Sequence, residues 1–216
     1  MKALKKKDLW GLLVGMLLGN ASITYTGNVK LRFKERDREY ALEKKRLLTG
    51  NLTYWEEVSI SEDLNEFKFY KSKFTLNVYK IVYLPTKYLT EKLVNHLTKQ
   101  GLAIWYMDAG GLEFSRKNNR IANRRAYLDV SKWSLDEQKL LQNMLLANFM
   151  LETKLIKNRL YMNTTNTIKL INLIKTYIHE SKRHMICLRY SKESNLNLCN
   201  SSCDIDDCMF NIKEML

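Results

Sequence analysis

The chain has 216 residues, 45% of them hydrophobic and 11% aromatic, which predicts a folded globule and excludes a wholly disordered protein. Lys and Arg outnumber Asp and Glu by 36 − 23 = 13, and an excess of this size on a folded protein is typical of polyanion binders. A basic membrane-surface protein or a ribosome-associated protein would carry the same charge, so charge alone does not separate these classes.

The N-terminal segment has the outline of a secretory signal peptide, with basic residues 1–7, apolar residues 9–18 and small residues 19–21. Asp8 interrupts this outline, and the apolar segment has a counterpart later in the chain, so we interpret it as a helix of the fold. No other segment approaches the roughly 20 apolar residues that a membrane span needs. We expect an intracellular protein of the cytoplasm or an organelle (mitochondrion or chloroplast) without a membrane partner. The alternative is a secreted basic protein that begins at Ser22.

The first half of the chain alternates helical and strand-like patterns. The predicted elements are, in order, a helix at 9–18, strands at 21–26 and 28–34, a helix at 37–48, strands at 67–70 and 74–80, and a helix at 86–95. The charged residues of the second helix, Glu43, Lys44, Lys45 and Arg46, favour a solvated outer face.

The second half repeats this order. The predicted elements are a helix at 101–108, strands at 112–116 and 124–130, a helix from Ser134 to 147, strands at 152–156 and 159–163, and a helix at 167–178. Ser134, followed three residues later by Glu137, is the signature of a capping box. The repeat predicts two halves, residues 1–96 and 97–190, and a C-terminal tail, residues 191–216.

The two leading helices, at 9–18 and 101–108, are predicted to pack against each other about a pseudo-twofold axis. Gly15 and Gly19 lie four residues apart on one helix face, and the absence of side chains there lets two helix backbones approach closely. An ordinary buried helix pair would show the same spacing, so the spacing alone leaves both interpretations open.

Residues 13–21 (LVGMLLGNA) and 102–110 (LAIWYMDAG) resemble two copies of the nine-residue LAGLIDADG motif. The segments 82–89, 127–130, 133–137 and 175–178 are also similar to the flanks of such motifs. The similarity covers roughly residues 9–190 and resembles single-chain homing endonucleases. It implies an α+β fold of two pseudo-symmetric αββαββα halves, whose antiparallel sheets form a saddle-shaped surface over double-stranded DNA, and a monomeric protein.

The resemblance also implies DNA cleavage at a Mg²⁺ site that the last acid of each motif would hold. Those two positions are Asn20 and Ala109, so neither supplies a carboxylate. Asp108 is adjacent, but one residue turns a helix by about 100°, so we expect a satisfied helix-end carboxylate rather than a metal ligand. The family places a lysine near each metal centre, and the corresponding candidates are Lys80 and Arg189.

Two histories would leave Asn20 and Ala109 at the motif ends. In the first, a natural protein has lost cleavage and kept binding; in the second, both acids of an active enzyme were replaced to trap a complex. In the second case, Asn20→Asp with Ala109→Asp should restore Mg²⁺-dependent cutting. The sequence leaves both histories open.

The predicted strand at 28–34 alternates polar and apolar residues, so its polar side chains should share one face of the sheet. These are Asn28, Lys30, Arg32 and Lys34, residue types that read guanine and adenine in the major groove. Other cations near predicted hairpins are expected to contact phosphates: Lys68, Lys71, Lys73, Arg116, Lys117, Arg120, Arg124, Arg125, Lys154, Lys157 and Arg159.

A non-catalytic RNA-binding derivative, either an intron maturase or a ribosomal-RNA-associated protein, is the alternative function. Such a protein would bind structured RNA by shape and phosphate contacts, because the major groove of RNA is deep and narrow. The cysteines Cys187, Cys199, Cys203 and Cys208 match no standard zinc finger and are interpreted as free thiols, most of them in the tail.

Overall fold

The computed structural model describes residues 6–25, 29–49, 54–61, 64–70, 77, 79–80, 89–117 and 120–187. The helices are α1 (Lys6–Leu18), α2 (Arg38–Thr49), α3 (Glu91–Val94), α4 (Lys99–Ala109), α5 (Leu135–Phe149) and α6 (Thr164–Ile174). The strands are β1 (Ala21–Tyr25), β2 (Val29–Glu35), β3 (Tyr54–Ser61), β4 (Leu64–Tyr70), β5 (Gly110–Lys117), β6 (Arg120–Asp129), β7 (Lys154–Ile156) and β8 (Arg159–Tyr161). Two 3₁₀ segments, Lys175–Tyr177 and Glu180–Ile186, follow α6.

The strands form two antiparallel four-stranded sheets with equivalent strand orders. The first sheet has the order β1-β2-β4-β3, and the second has the order β5-β6-β8-β7. The predicted α+β fold is therefore confirmed, and the two sheets show the internal repeat. None of the helices in the described part of the chain combines the length and hydropathy that a membrane span requires.

The two motif helices, α1 and α4, pack against each other at very short range. A Cβ atom placed on Gly15 would overlap the backbone of Gly101, and one on Gly101 would overlap the carbonyl oxygen of Gly11. Leu12 and Trp105, from the two helices, are fully buried in one continuous core. The predicted pairing of the leading helices is confirmed, and glycine is required where their backbones meet.

Local sequence signals explain several element boundaries. The capping box is present: the Ser134 hydroxyl accepts from the Glu137 N–H, and the Glu137 carboxylate accepts from the Ser134 N–H at 2.8 Å. The hairpin between β7 and β8 turns at Lys157 and Asn158, whose φ values of 47° and 61° suit a type I′ turn.

Some predicted boundaries were wrong. Residues 77, 79 and 80 are helical and not part of a strand, because a short apolar run satisfies both the helical and the strand periodicity. The last helix starts earlier, at Thr164, because the Asn163 side chain accepts from the Asn166 N–H at 2.8 Å and caps it. Strand β3 was not singled out from the sequence. The tail at 191–216, with Cys199, Cys203 and Cys208, lies outside the described residues.

Candidate site at the motif helices and sheet faces

Asn20 follows α1 and is half-buried at the end of the motif helix pair. Its Nδ2 donates to the Lys34 carbonyl oxygen at 2.7 Å and to Glu35 Oε2 at 3.4 Å, and its Oδ1 accepts from Lys44 Nζ at 3.1 Å. A carbonyl can only accept and an ammonium can only donate, so these partners fix the orientation of the amide. The Asn20 amide therefore donates to hydrogen-bond acceptors and accepts from a donor at the same time, and an ionised carboxylate, which can only accept, could not do both.

Asp108, the penultimate residue of α4, has a side chain that is 0% exposed. Its carboxylate accepts hydrogen bonds from Lys44 Nζ at 2.5 Å, from the Tyr40 hydroxyl at 2.9 Å and from the Asn20 N–H at 3.3 Å. Burial raises the pKa of Asp108, and the Lys44 ammonium and the Tyr40 hydroxyl oppose that rise. The carboxylate is thus a satisfied helix-end group directed into the protein.

Lys44 lies at the centre of this group, and the predicted solvated position was wrong, because its side chain is 0% exposed. The stem and ammonium pack against Tyr40, with Nζ 4.4 Å from the ring centroid, and Nζ lies 3.6 Å from a Glu35 carboxylate oxygen. Tyr40, Ala41, Lys44 and Leu48 are the buried residues of α2, so Lys44 occupies the helix's core-facing stripe. We refer to Lys44, Asp108, Asn20, Tyr40 and Glu35 as the Lys44 cluster.

Two further lysines connect the Lys44 cluster and α1 to the second half. Lys182 Nζ lies 3.3 Å from Glu35 Oε1. Lys132 Nζ donates to the carbonyl oxygens of Leu17 and Gly19, at 2.5 Å each, where α1 ends. A cation at these carbonyls satisfies acceptors that the helix leaves unpaired and complements the helix dipole. The sequence patterns did not identify these lysines, because their partners lie far away in the chain.

The residues present do not fit the two-acid metal centre that the motifs imply. Asn20 Oδ1 is occupied by Lys44, the Ala109 side chain offers no ligand atom, and the Asp108 carboxylate is buried against two donors. The described residues contain no group of three or more His, Cys, Asp or Glu side chains that could hold a metal ion. Lys80 is exposed, Arg189 lies outside the described residues, and both remain predictions.

Changing Asn20 to Asp is expected to lower the stability of the protein by about 1–3 kcal/mol, because a carboxylate oxygen would then face the Lys34 carbonyl. Thermal unfolding of both proteins measures this loss. Asn163→Asp is the matched control, because Asn163 acts as an acceptor at the α6 cap, where Asp serves equally well. An unchanged or higher midpoint for Asn20→Asp would show that the amide is not required.

The first sheet presents basic residues on the face away from the core. Leu31 and Phe33 of β2 are buried, whereas Lys34 is exposed and Arg32 is half-buried on the opposite face. In the backbone register of the sheet, Arg32 lies opposite Lys68 of β4. Lys30 has the same parity as Arg32 in β2. Asn28, Lys71 and Lys73 lie outside the described residues.

The second sheet presents a mixed face of cations, acids and tyrosines. Arg125 of β6 pairs with Glu113 of β5, and Tyr127 of β6 pairs with Tyr161 of β8. Arg124 has the opposite parity, shared with the buried Ala126, so it is not part of this outward row. The remaining predicted cations lie at strand ends or in turns: Arg116 and Lys117 end β5, Arg120 begins β6, Lys154 begins β7, Lys157 is in the turn, and Arg159 begins β8.

The structure is similar to that of the homing endonuclease I-WcaI bound to its DNA recognition sequence, with a TM-score of 0.69 and 21% identity over 88% of this chain and 90% of that one. It is also similar to the LAGLIDADG meganuclease I-AabMI bound to uncleaved DNA, with a TM-score of 0.53 and 10% identity over 82% of this chain and 87% of that one. The N-terminal LAGLIDADG domain of DUF199/WhiA gives a TM-score of 0.52 and 10% identity over 81% and 84% of the two chains. At these identities the likeness shows the fold.

Curated protein sequences give no match to this chain. The model of the LAGLIDADG DNA endonuclease family matches residues 10–170, which is more than half of the chain and includes both motifs. The sequence match thus agrees with the paired motif helices and with the equivalent strand orders of the two sheets. The chain belongs to the LAGLIDADG DNA endonuclease family.

Proposed function

We propose that the protein binds a long double-stranded DNA site through the outward faces of both sheets and does not cleave it. The observation that carries this proposal is the basic row on β2, where Arg32 and Lys34 point away from the buried Leu31 and Phe33. Antiparallel strands with such rows fit the major groove, where Arg and Lys pair with guanine. I-WcaI, which shares the fold, is bound to its DNA recognition sequence, and this supports double-stranded DNA as the partner.

The Lys44 cluster supports the loss of cleavage. Metal-assisted phosphodiester hydrolysis needs acidic oxygen ligands that face the phosphates. Here Asn20 bonds to Lys44 and to strand β2, and Asp108 bonds to Lys44 and Tyr40. We therefore expect that the protein does not hold Mg²⁺ at the ends of its two motif helices.

Selection of bound duplexes from a random DNA library tests the proposed binding, at about 150 mM salt to suppress non-specific phosphate contacts. We expect enrichment of one long, near-palindromic site, because two equivalent sheets would each read one half. Salt-sensitive binding without an enriched sequence would overturn the proposal and favour structured RNA as the partner.

Arg32→Gln tests the role of the first sheet. A base-reading arginine contributes about 1–3 kcal/mol of discrimination, so this change should relax the preference at a position within one half of the selected site. Lys139→Gln, an exposed change on α5, is the matched control and should leave the selected site unchanged. If Arg32→Gln leaves the base preference of the protein unaltered, then Arg32 of β2 does not read the bases of the site.

A further inference from the structure

The outward face of the second sheet carries a connected group of side chains around Arg159. Its guanidinium carbon lies 4.4 Å from the Tyr127 ring centroid, and its Nη1 lies 3.1 Å from Glu113 Oε1. The Tyr161 hydroxyl donates to the same Glu113 oxygen at 3.1 Å and lies 3.4 Å from Arg159 Nη1. We refer to Arg159, Glu113, Tyr127 and Tyr161 as the Arg159 cluster. It joins three strands, β5, β6 and β8.

The Arg159 cluster fixes the arginine before any ligand is present. Holding a free arginine in one rotamer costs roughly 2 kcal/mol of side-chain entropy. Because Arg159 is already stacked on a tyrosine ring and anchored through Nη1, part of this cost does not arise when a ligand binds. The guanidinium is not fully covered, because its side chain is 38% exposed. Among the described residues Nη2 makes no hydrogen bond, so it keeps donors for a ligand.

The acids of this face argue against a simple phosphate-binding role. Glu113 is 39% exposed, and Asp129 lies 3.7 Å from Arg159 Nε, so two carboxylates flank one guanidinium. Carboxylates repel phosphates, whereas a glutamate can accept from the N4 amino group of cytosine and an arginine can donate to O6 and N7 of guanine. Lys157, by contrast, lies at the exposed tip of the β7–β8 hairpin, a position that suits a phosphate contact.

We infer that Arg159 is a specificity-determining residue that reads guanine in the half of the DNA site under the second sheet, and that Glu113, Tyr127 and Tyr161 position it. This inference rests on the proposed duplex binding. The two outward faces then differ in their side chains: β2 presents Arg32 and Lys34, whereas the second sheet presents Arg125 and Arg159 beside acids and tyrosines.

The test compares the sites selected by the native protein, Arg159→Lys and Tyr161→Phe. Lysine keeps the charge but loses the planar fork, so we expect discrimination at one base position of one half-site to fall by about 10-fold or more, with binding to unrelated duplexes unchanged. Tyr161→Phe keeps the ring and removes the hydroxyl that bonds to Glu113, and should weaken preference at that same position. Thermal unfolding verifies that both variants are folded.

Lys157→Gln is the matched control from the adjacent hairpin tip. Loss of a phosphate contact there should weaken binding to all sequences alike and reduce the salt slope by about one. If Arg159→Lys behaves in that uniform way, or leaves every base preference intact, Arg159 does not determine specificity. Failure of the native protein to enrich any site would instead overturn the proposed duplex binding, so the two failures are distinguishable.

Discussion

Replacement of Lys44 by Met should destabilise the protein by about 3–5 kcal/mol, because it removes one partner of a buried ion pair. The methionine fills a similar volume, but the Asp108 carboxylate, which is 0% exposed, would keep only the Tyr40 hydroxyl and the Asn20 N–H as donors. Chemical denaturation measures the free energy of unfolding. Lys169→Met, an exposed change on α6, is the control and should change it by less than about 0.5 kcal/mol.

The free energy of unfolding that Lys44→Met loses, its stability deficit, should depend on pH, and this dependence identifies the cause of the loss. Burial already raises the pKa of Asp108 above its ordinary value of 3.8, and loss of the ammonium should raise it further. A raised pKa of Asp108 in the folded state lowers the free energy of unfolding, and this loss is full at pH values above the folded-state pKa. The loss is absent below the unfolded-state pKa, because the carboxyl is then protonated in both states. The deficit of Lys44→Met should therefore shrink as the pH falls from neutral towards 3.8.

A double variant completes the test of the Lys44 cluster. Lys44→Met with Asp108→Asn removes both charges, so it should recover most of the stability that Lys44→Met loses. A double variant that is as unstable as Lys44→Met, with a deficit independent of pH, would show that packing and not the ion pair stabilises this site.

Gly15→Val is expected to destabilise the protein by about 3 kcal/mol or more, which is the upper range of overpacking penalties. The atoms in its way belong to the backbone of Gly101, which cannot rotate aside, so α1 and α4 would have to separate. Because each helix leads into one sheet, separation would also change the distance between the two reading faces. We expect weaker binding to the selected duplex as well as a lower unfolding midpoint.

Ala147→Val provides the control for this change, because it adds the same branched bulk to an exposed position of α5. Its cost should stay within about 0.5 kcal/mol, the usual range for surface substitutions. If Gly15→Val unfolds at the same temperature as the native protein, the close contact of the two motif helices is not needed for the fold.

Local patterns in the sequence were sufficient to predict most of the fold. The glycine spacing at Gly15, the Ser134–Glu137 capping box and the alternation around Leu31 and Phe33 each involve neighbours within a few residues. Such signals predict helix starts and strand faces directly, whereas the glycine spacing permits a close helix contact without fixing it. The α+β organisation follows from them, together with the resemblance carried by the two motifs.

The polar clusters could not be predicted in the same way, because their partners are distant in the chain. Lys44 and Asp108 are separated by 64 residues, and Arg159 and Glu113 by 46. Lysine on an amphipathic helix is nearly always solvated, so the pattern around Lys44 indicated an outer face. Only its spacing with Tyr40 and Leu48, four residues on either side, could have placed it in the buried stripe.

The basic face of the first sheet and the Lys44 cluster together predict a protein that binds a specific duplex and leaves it intact. The most direct measurement incubates the selected duplex with the protein and Mg²⁺ at about 150 mM salt, and follows both the bound fraction and the integrity of each strand. We predict stable binding with both strands intact, because Asn20 and Asp108 are engaged by Lys44 and the Ala109 side chain has no ligand atom. Mg²⁺-dependent cutting of the selected duplex would show instead that the protein still assembles a working metal centre.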